Sequence, residues 1–132
     1  MNRHTSAEAF GRFYVEAFNS RDSARFLDCF CFPVMAVMNG QSFLFLDDSN
    51  PLIDFEGLVA QGWSRSVIDS LETLVETKTT SIIRLEFSRL NGESVVYESS
   101  VAYYTLTRSD TGWSIVNMAV THDLARGIEH GA

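Results

Sequence analysis

Apolar side chains recur every three or four positions along the N-terminal stretch. Phe10, Phe13, Tyr14, Ala17 and Phe18 make the stripe of an amphipathic helix. Thr5-Ser6-Ala7-Glu8 stands before it with capping-box spacing, Thr5 as the N-cap and Glu8 answering it. Asn19-Ser20-Arg21 interrupts the stripe. Asp22 then caps a second, shorter helix whose buried side is Phe26, Leu27 and Phe30. Pro33 ends that helix, since the residue before a proline is pushed out of the α region. Val34 to Met38 is apolar throughout and predicts a buried strand. Asn39-Gly40 is a hairpin turn, and Ser42 to Leu46 is the returning strand. After the loop "DDSNP", Asp54 caps a third helix, with Phe55, Leu58, Val59, Gly62, Trp63 and Val67 at helical spacing.

Beyond Ser70 the texture changes. Leu71 to Leu90 is rich in Thr, Ile and Val with partial alternation, which predicts one long strand. Asn91-Gly92 gives a second hairpin turn, Ser94 to Arg108 another long strand, "SDTG" a third turn, and Trp113 to His122 a closing strand. Helices followed by an antiparallel meander make an α+β pattern. The core runs from residue 5 to about residue 122, and residues 123–132 read as a loose tail.

Composition narrows this picture without changing it. A chain of 132 residues, 45% hydrophobic and 20% charged, fits one domain, residues 1–132, with a true core. Its formal charge of -7 repels phosphate backbones, so nucleic acid and anionic membrane are poor partners. No apolar run suits a signal peptide or a membrane span, and the cytoplasm is the default location. Two cysteines do not build a disulfide framework.

The order of elements resembles the nuclear transport factor 2-like superfamily, which includes SnoaL-like cyclases, ketosteroid isomerase and scytalone dehydratase. Three stretches carry the resemblance. "FYVEAFNSRDSARFLDCF" is similar to the family's helix-turn-helix opening, "DFEGLVAQGW" to its third helix, and "TGWSIVNMAVTH" to its closing strand. The resemblance implies N-terminal helices packed on a strongly curved, mainly antiparallel sheet, a cone whose open end is a pocket. It also implies a homodimer through the outer sheet face. That suits strands carrying large residues on both sides, Tyr97, Val101 and Tyr103 against Val96, Tyr104 and Leu106.

Candidate chemistry is sparse. Cys29 and Cys31 are too few for a zinc site, which takes about four ligands, and Cys-x-Cys is not a redox spacing. They read as small core hydrophobes, and neither a metal nor a cofactor is expected. By resemblance to ketosteroid isomerase, Tyr14 falls where that enzyme carries its oxyanion-binding tyrosine. The general base of that enzyme would land near Met38, and its second oxyanion donor near Tyr103 or Tyr104. A thioether takes no proton, so ketosteroid isomerase activity itself is disfavoured.

Tyr14 has a plainer reading as a buried amphipathic residue. His122 is an acid–base candidate beside Asp123, or a surface histidine. Arg84 and Glu86 share a strand face, as a handle for an anion or as an ion pair in solvent or a dimer interface. Asn117, on the face of Trp113 and Ile115, is a pocket or a structural polar group. Trp63 is core first and pocket wall second. Asp47-Asp48 reads as turn chemistry.

Three functions stay open. The favoured one is a binder of a small apolar or carbonyl-containing molecule, using Tyr14, Met38, Trp63, Tyr103 and Asn117. The second is a cofactor-independent isomerase, cyclase or dehydratase acting on a cyclic carbonyl compound, using Tyr14 with Asn117 or His122. The third is a homodimeric interaction module.

Overall fold

The computed structural model describes residues 6–49 and 52–121. Its first helix, α1 (Ala7–Ser20), is capped by Ser6, whose Oγ accepts from the Ala9 N–H at 3.1 Å. The cap is therefore one residue later than the expected Thr5, which lies outside the described residues. Phe10, Tyr14 and Ala17 are buried along the expected stripe. Gly11 lets the helix sit close on the sheet: a Cβ there would stand 3.0 Å from Leu71. Arg21, at φ 61°, closes the helix in the left-handed region by donating its N–H to the Phe18 carbonyl.

Helix α2 (Ser23–Leu27) is capped by Asp22, as the sequence predicts. Its Oδ1 accepts from the N–H groups of Ala24 and Arg25. The chain then enters strand β1 (Phe30–Met38) earlier than expected, through Pro33 rather than after it. The proline is tolerated because the pairing of β1 is irregular between Phe30 and Met35, so no ladder bond there asks for its missing N–H. Asn39 and Gly40, both at positive φ, turn the chain into β2 (Gln41–Phe45), as their pairing predicts. Helix α3 (Phe55–Ala60) is capped by Asp54, whose carboxylate accepts from the Gly57 N–H at 3.0 Å. It ends well before Trp63 and Val67. The Trp63 N–H closes the helix on the Leu58 carbonyl, and Val67 lies on the next strand.

The predicted strand from Leu71 to Leu90 is two strands, β3 (Arg65–Glu76) and β4 (Thr80–Leu90). The turn between them is made by Thr77, whose Oγ1 accepts from the N–H groups of Thr79 and Thr80. No glycine, proline or Asx residue announces it. Strands β5 (Val96–Ser109) and β6 (Gly112–Val120) complete the chain's regular structure.

The six strands form one mixed sheet in the order β2-β1-β6-β5-β4-β3, with only β1 and β6 parallel. Several bulges interrupt the ladders of the long strands, and each bends its strand locally. The helices cover one face, where Ile83, Leu85, Ala102, Tyr104, Leu106, Ile115 and Met118 build the core with Phe10, Tyr14 and Phe26. The architecture is α+β. Asn19, at the end of α1, ties the helix to β3: its amide donates to the Ser66 carbonyl at 2.9 Å and accepts from the Ser66 N–H at 2.8 Å. Among the described residues no helix is long and apolar enough to cross a membrane.

Candidate functional site

The covered face of the sheet does not close completely on the helices. A cavity of about 220 Å³ remains between α1, α2, the segment at Leu52 and Ile53, and the inward sides of β1, β4, β5 and β6. Phe18, Phe26, Leu85, Phe87, Met118 and Val120 make most of its wall. Its polar groups are few: Tyr14, Tyr104, Ser66, Arg89 and Asn39. A largely apolar hollow with a few placed polar groups is the usual composition of a small-molecule site.

Tyr14 reaches it because it lies on the buried stripe of α1. Tyr104 reaches it because alternation along β5 turns Ala102, Tyr104 and Leu106 inward. The two phenols are almost wholly buried, with ring centroids 5.1 Å apart and planes at 61°. The two hydroxyl oxygens are 3.5 Å apart, a long hydrogen bond between the phenols. Burial raises the Tyr14 pKa well above its ordinary value, and neighbouring Tyr104 adds to the rise. Burial likewise pushes Tyr104 up to about 12, against the pull of Tyr14 and Arg89. Both are neutral donors near pH 7.

The expected site residues divide. Tyr14 and Met38 line the cavity. Trp63 stands one layer back: its indole packs on Phe18 at 5.4 Å and donates to the Ser66 Oγ at 3.0 Å, and Ser66 is in the wall. Tyr103 faces away, on the outer side of the sheet, where its hydroxyl accepts from Arg84 Nε at 3.1 Å. Asn117 also faces outward and is exposed, contrary to the expectation that it shares a face with Ile115. The cause is a bulge at Val116. Leu106 opposes Ile115 and Thr105 opposes Asn117, so one extra residue reverses the alternation. His122 and Asp123 lie outside the described residues.

Arg84 and Glu86 form an ion pair on the outer face, which removes them from the cavity as an anion handle. Cys29 is buried and Cys31 exposed, both as free thiols. No cluster able to hold a metal ion occurs among the described residues. Asp47 accepts from the N–H and hydroxyl of Ser49, the turn chemistry expected of it.

Sequence reasoning passed over Arg89. Its signal was available in the spacing of Ile83, Leu85, Phe87 and Arg89, one face of a period-two strand that ends on a cation.

The model of the NTF2-like protein family DUF6841 matches residues 5–123. The chain belongs to that family. Solved structures agree on the fold. An NTF-2 like protein of unknown function from Shewanella oneidensis superposes with a TM-score of 0.61 at 14% identity, over 85% of this chain and 93% of that one. A cystatin-like fold protein from Nostoc punctiforme gives 0.66 at 8% identity, over 91% and 93%. A ketosteroid isomerase-like protein from Erwinia carotovora gives 0.58 at 17% identity, over 86% and 90%. At these identities the likeness concerns the fold alone. No curated protein sequence matches the chain.

Proposed function

We propose that this NTF2-like protein binds a small, mainly apolar molecule between its helices and the inward face of the sheet, with the Tyr14 hydroxyl donating to an oxygen of that molecule. The observation that carries the reading is the phenol pair, two neutral donors set into a mainly apolar cavity and joined to one another by a single long bond. Met38 supplies part of the wall, and Trp63 fixes Ser66 from behind.

Binding is favoured over proton abstraction because the described wall carries no carboxylate or imidazole to take a proton. Dimerisation through the outer sheet face belongs to the same proposal. Met35, Val37 and Leu44 are exposed there, alongside Val101 and Tyr103. Two free thiols suit the cytoplasm.

Native mass spectrometry of the freshly purified protein tests the reading. A reproducible excess mass, lost or reduced about tenfold in occupancy affinity in Tyr14→Phe, is the expected result. An affinity unchanged in Tyr14→Phe removes Tyr14 from the site. A dimer that survives Val101→Glu shows that another face joins the subunits.

A further inference from the structure

Arg89 is the one charged residue in the cavity wall among the described residues, and no carboxylate lines that wall. It follows Leu85 and Phe87 on the inward side of β4, and its guanidinium carbon lies 5.7 Å from the centre of the Phe87 ring. The side chain is 16% exposed, and Nη1 donates across the ladder to Glu98 Oε1 at 3.1 Å. Glu98 stands outside the set of lining residues and engages a further group besides Arg89. The cation therefore belongs to the cavity, while its counterion does not.

The chain alone does not satisfy the guanidinium. Its five N–H donors lie in a fixed fork, and the bond to Glu98 uses one of them. Nε is buried without a partner. An unmet donor beside hydrocarbon is costly, and the acceptor that best matches the fork is a carboxylate. The charge is also felt inside the cavity: Arg89 draws the pKa values of both Tyr14 and Tyr104 down, against the rise that burial causes. The chain's formal charge of -7 opposes an anion only weakly at this range, because salt screens it over about 8 Å. One cation in a mainly apolar hollow suits one unit of negative charge. A phosphate monoester, with a charge of about -1.5 to -2, would ask for more donors than this wall holds.

We propose that the bound molecule is an apolar monocarboxylate, its carboxylate received by Arg89 and its hydrocarbon part packed against Phe18, Phe26, Phe87 and Met118. This rests on the binding reading above and narrows it.

Calorimetric titration of the full chain near neutral pH with two acid–amide pairs tests it: octanoate with octanamide, and 1-naphthoate with 1-naphthamide. Each pair keeps its shape and exchanges the carboxylate for a neutral amide. One pair is flexible and the other flat, so the test does not depend on the form of the hydrocarbon. The wild type is expected to bind the acid of at least one pair about tenfold more tightly than its amide. In Arg89→Met/Glu98→Leu, which removes both charges, that preference falls to parity or reverses. Arg89→Gln/Glu98→Gln removes the same charges with polar side chains, and gives the same readout where the first variant folds poorly. A preference undiminished in a folded charge-free variant overturns the inference and leaves the binding reading standing. So does an amide that binds the wild type as tightly as its acid in both pairs. Octyl phosphate binding more tightly than octanoate overturns the carboxylate class. If none of the four compounds binds the wild type, the binding reading and this inference fail together.

Discussion

Strand β4 carries two arginine–glutamate pairs, one on each face of the sheet. Arg84 and Glu86 sit two residues apart on the outer face, with side chains 26% and 40% exposed. Arg89 and Glu98 face each other across the β4–β5 ladder on the inner side, 16% and 11% exposed. Each guanidinium also lies beside an aromatic ring, Tyr103 for Arg84 and Phe87 for Arg89. The chemistry is the same and the surroundings differ. Outside, in the single chain, water reaches either partner if the other is lost, and the pair contributes little to the folding of that chain. Inside, neither charge is well hydrated, so withdrawing one of them is expensive. Position on a two-residue alternation therefore decides which pair is decoration and which constrains the cavity.

The sharpest way to break this comparison is Arg89→Met alone. It withdraws the cation beside a nearly buried carboxylate, and chemical denaturation should show a loss of about 3–5 kcal/mol. Adding Glu98→Leu should return part of it. A single variant as stable as the wild type would mean that water already reaches the inner pair.

Leu106→Ala, on the fully buried inner face of β5, should cost about 2–5 kcal/mol through the cavity it leaves. Thr105→Ala, its outward neighbour, should stay within about 0.5 kcal/mol. Equal effects would mean that the outer face is as tightly packed as the inner one.

The phenols allow a pH test of the same contrast. The folded pKa of Tyr104, at about 12, lies above its ordinary 10.0, so the fold favours the neutral form. That contribution is complete below the unfolded value and is lost as pH climbs through the folded one. Thermal melts from about pH 9 to about pH 12 should show stability falling across that window, and Tyr104→Phe should flatten part of the fall. The smallest effect is expected of Arg84→Gln, within about 1 kcal/mol and weaker still at high salt.

The same alternation explains how much was legible in the sequence. The stripe of α1, the caps at Asp22 and Asp54 and the Asn39-Gly40 turn depend on a few neighbouring residues, and the structure keeps them. Tyr14 and Met38 reached the cavity for that reason.

The failures are where one residue's position depends on a distant partner. The turn at Thr77 is made by a β-branched residue that reads as strand, so β3 and β4 looked like one element. Pro33 stays in β1 because the neighbouring ladder is irregular there, which no local pattern reveals. A bulge against Thr105 and Leu106 sends Asn117 outward, and register alone chooses Tyr104 over Tyr103 for the interior. Arg89 went unread because a charged residue near the end of a strand looks like solvent-facing punctuation.

The Asn19 side chain has a further effect at the margin of the sheet. β3 is an edge strand, and an edge strand offers unpaired donors and acceptors to any extended segment that drifts alongside. At Ser66 both backbone groups are already taken by one side-chain amide. Next to it, Arg21 occupies the Ser64 carbonyl at 2.8 Å. Near its start, the edge groups at Ser64 and Ser66 are therefore closed to a foreign strand. Two side chains at the end of a helix thus act as a guard against fibril-like growth from that end of the sheet.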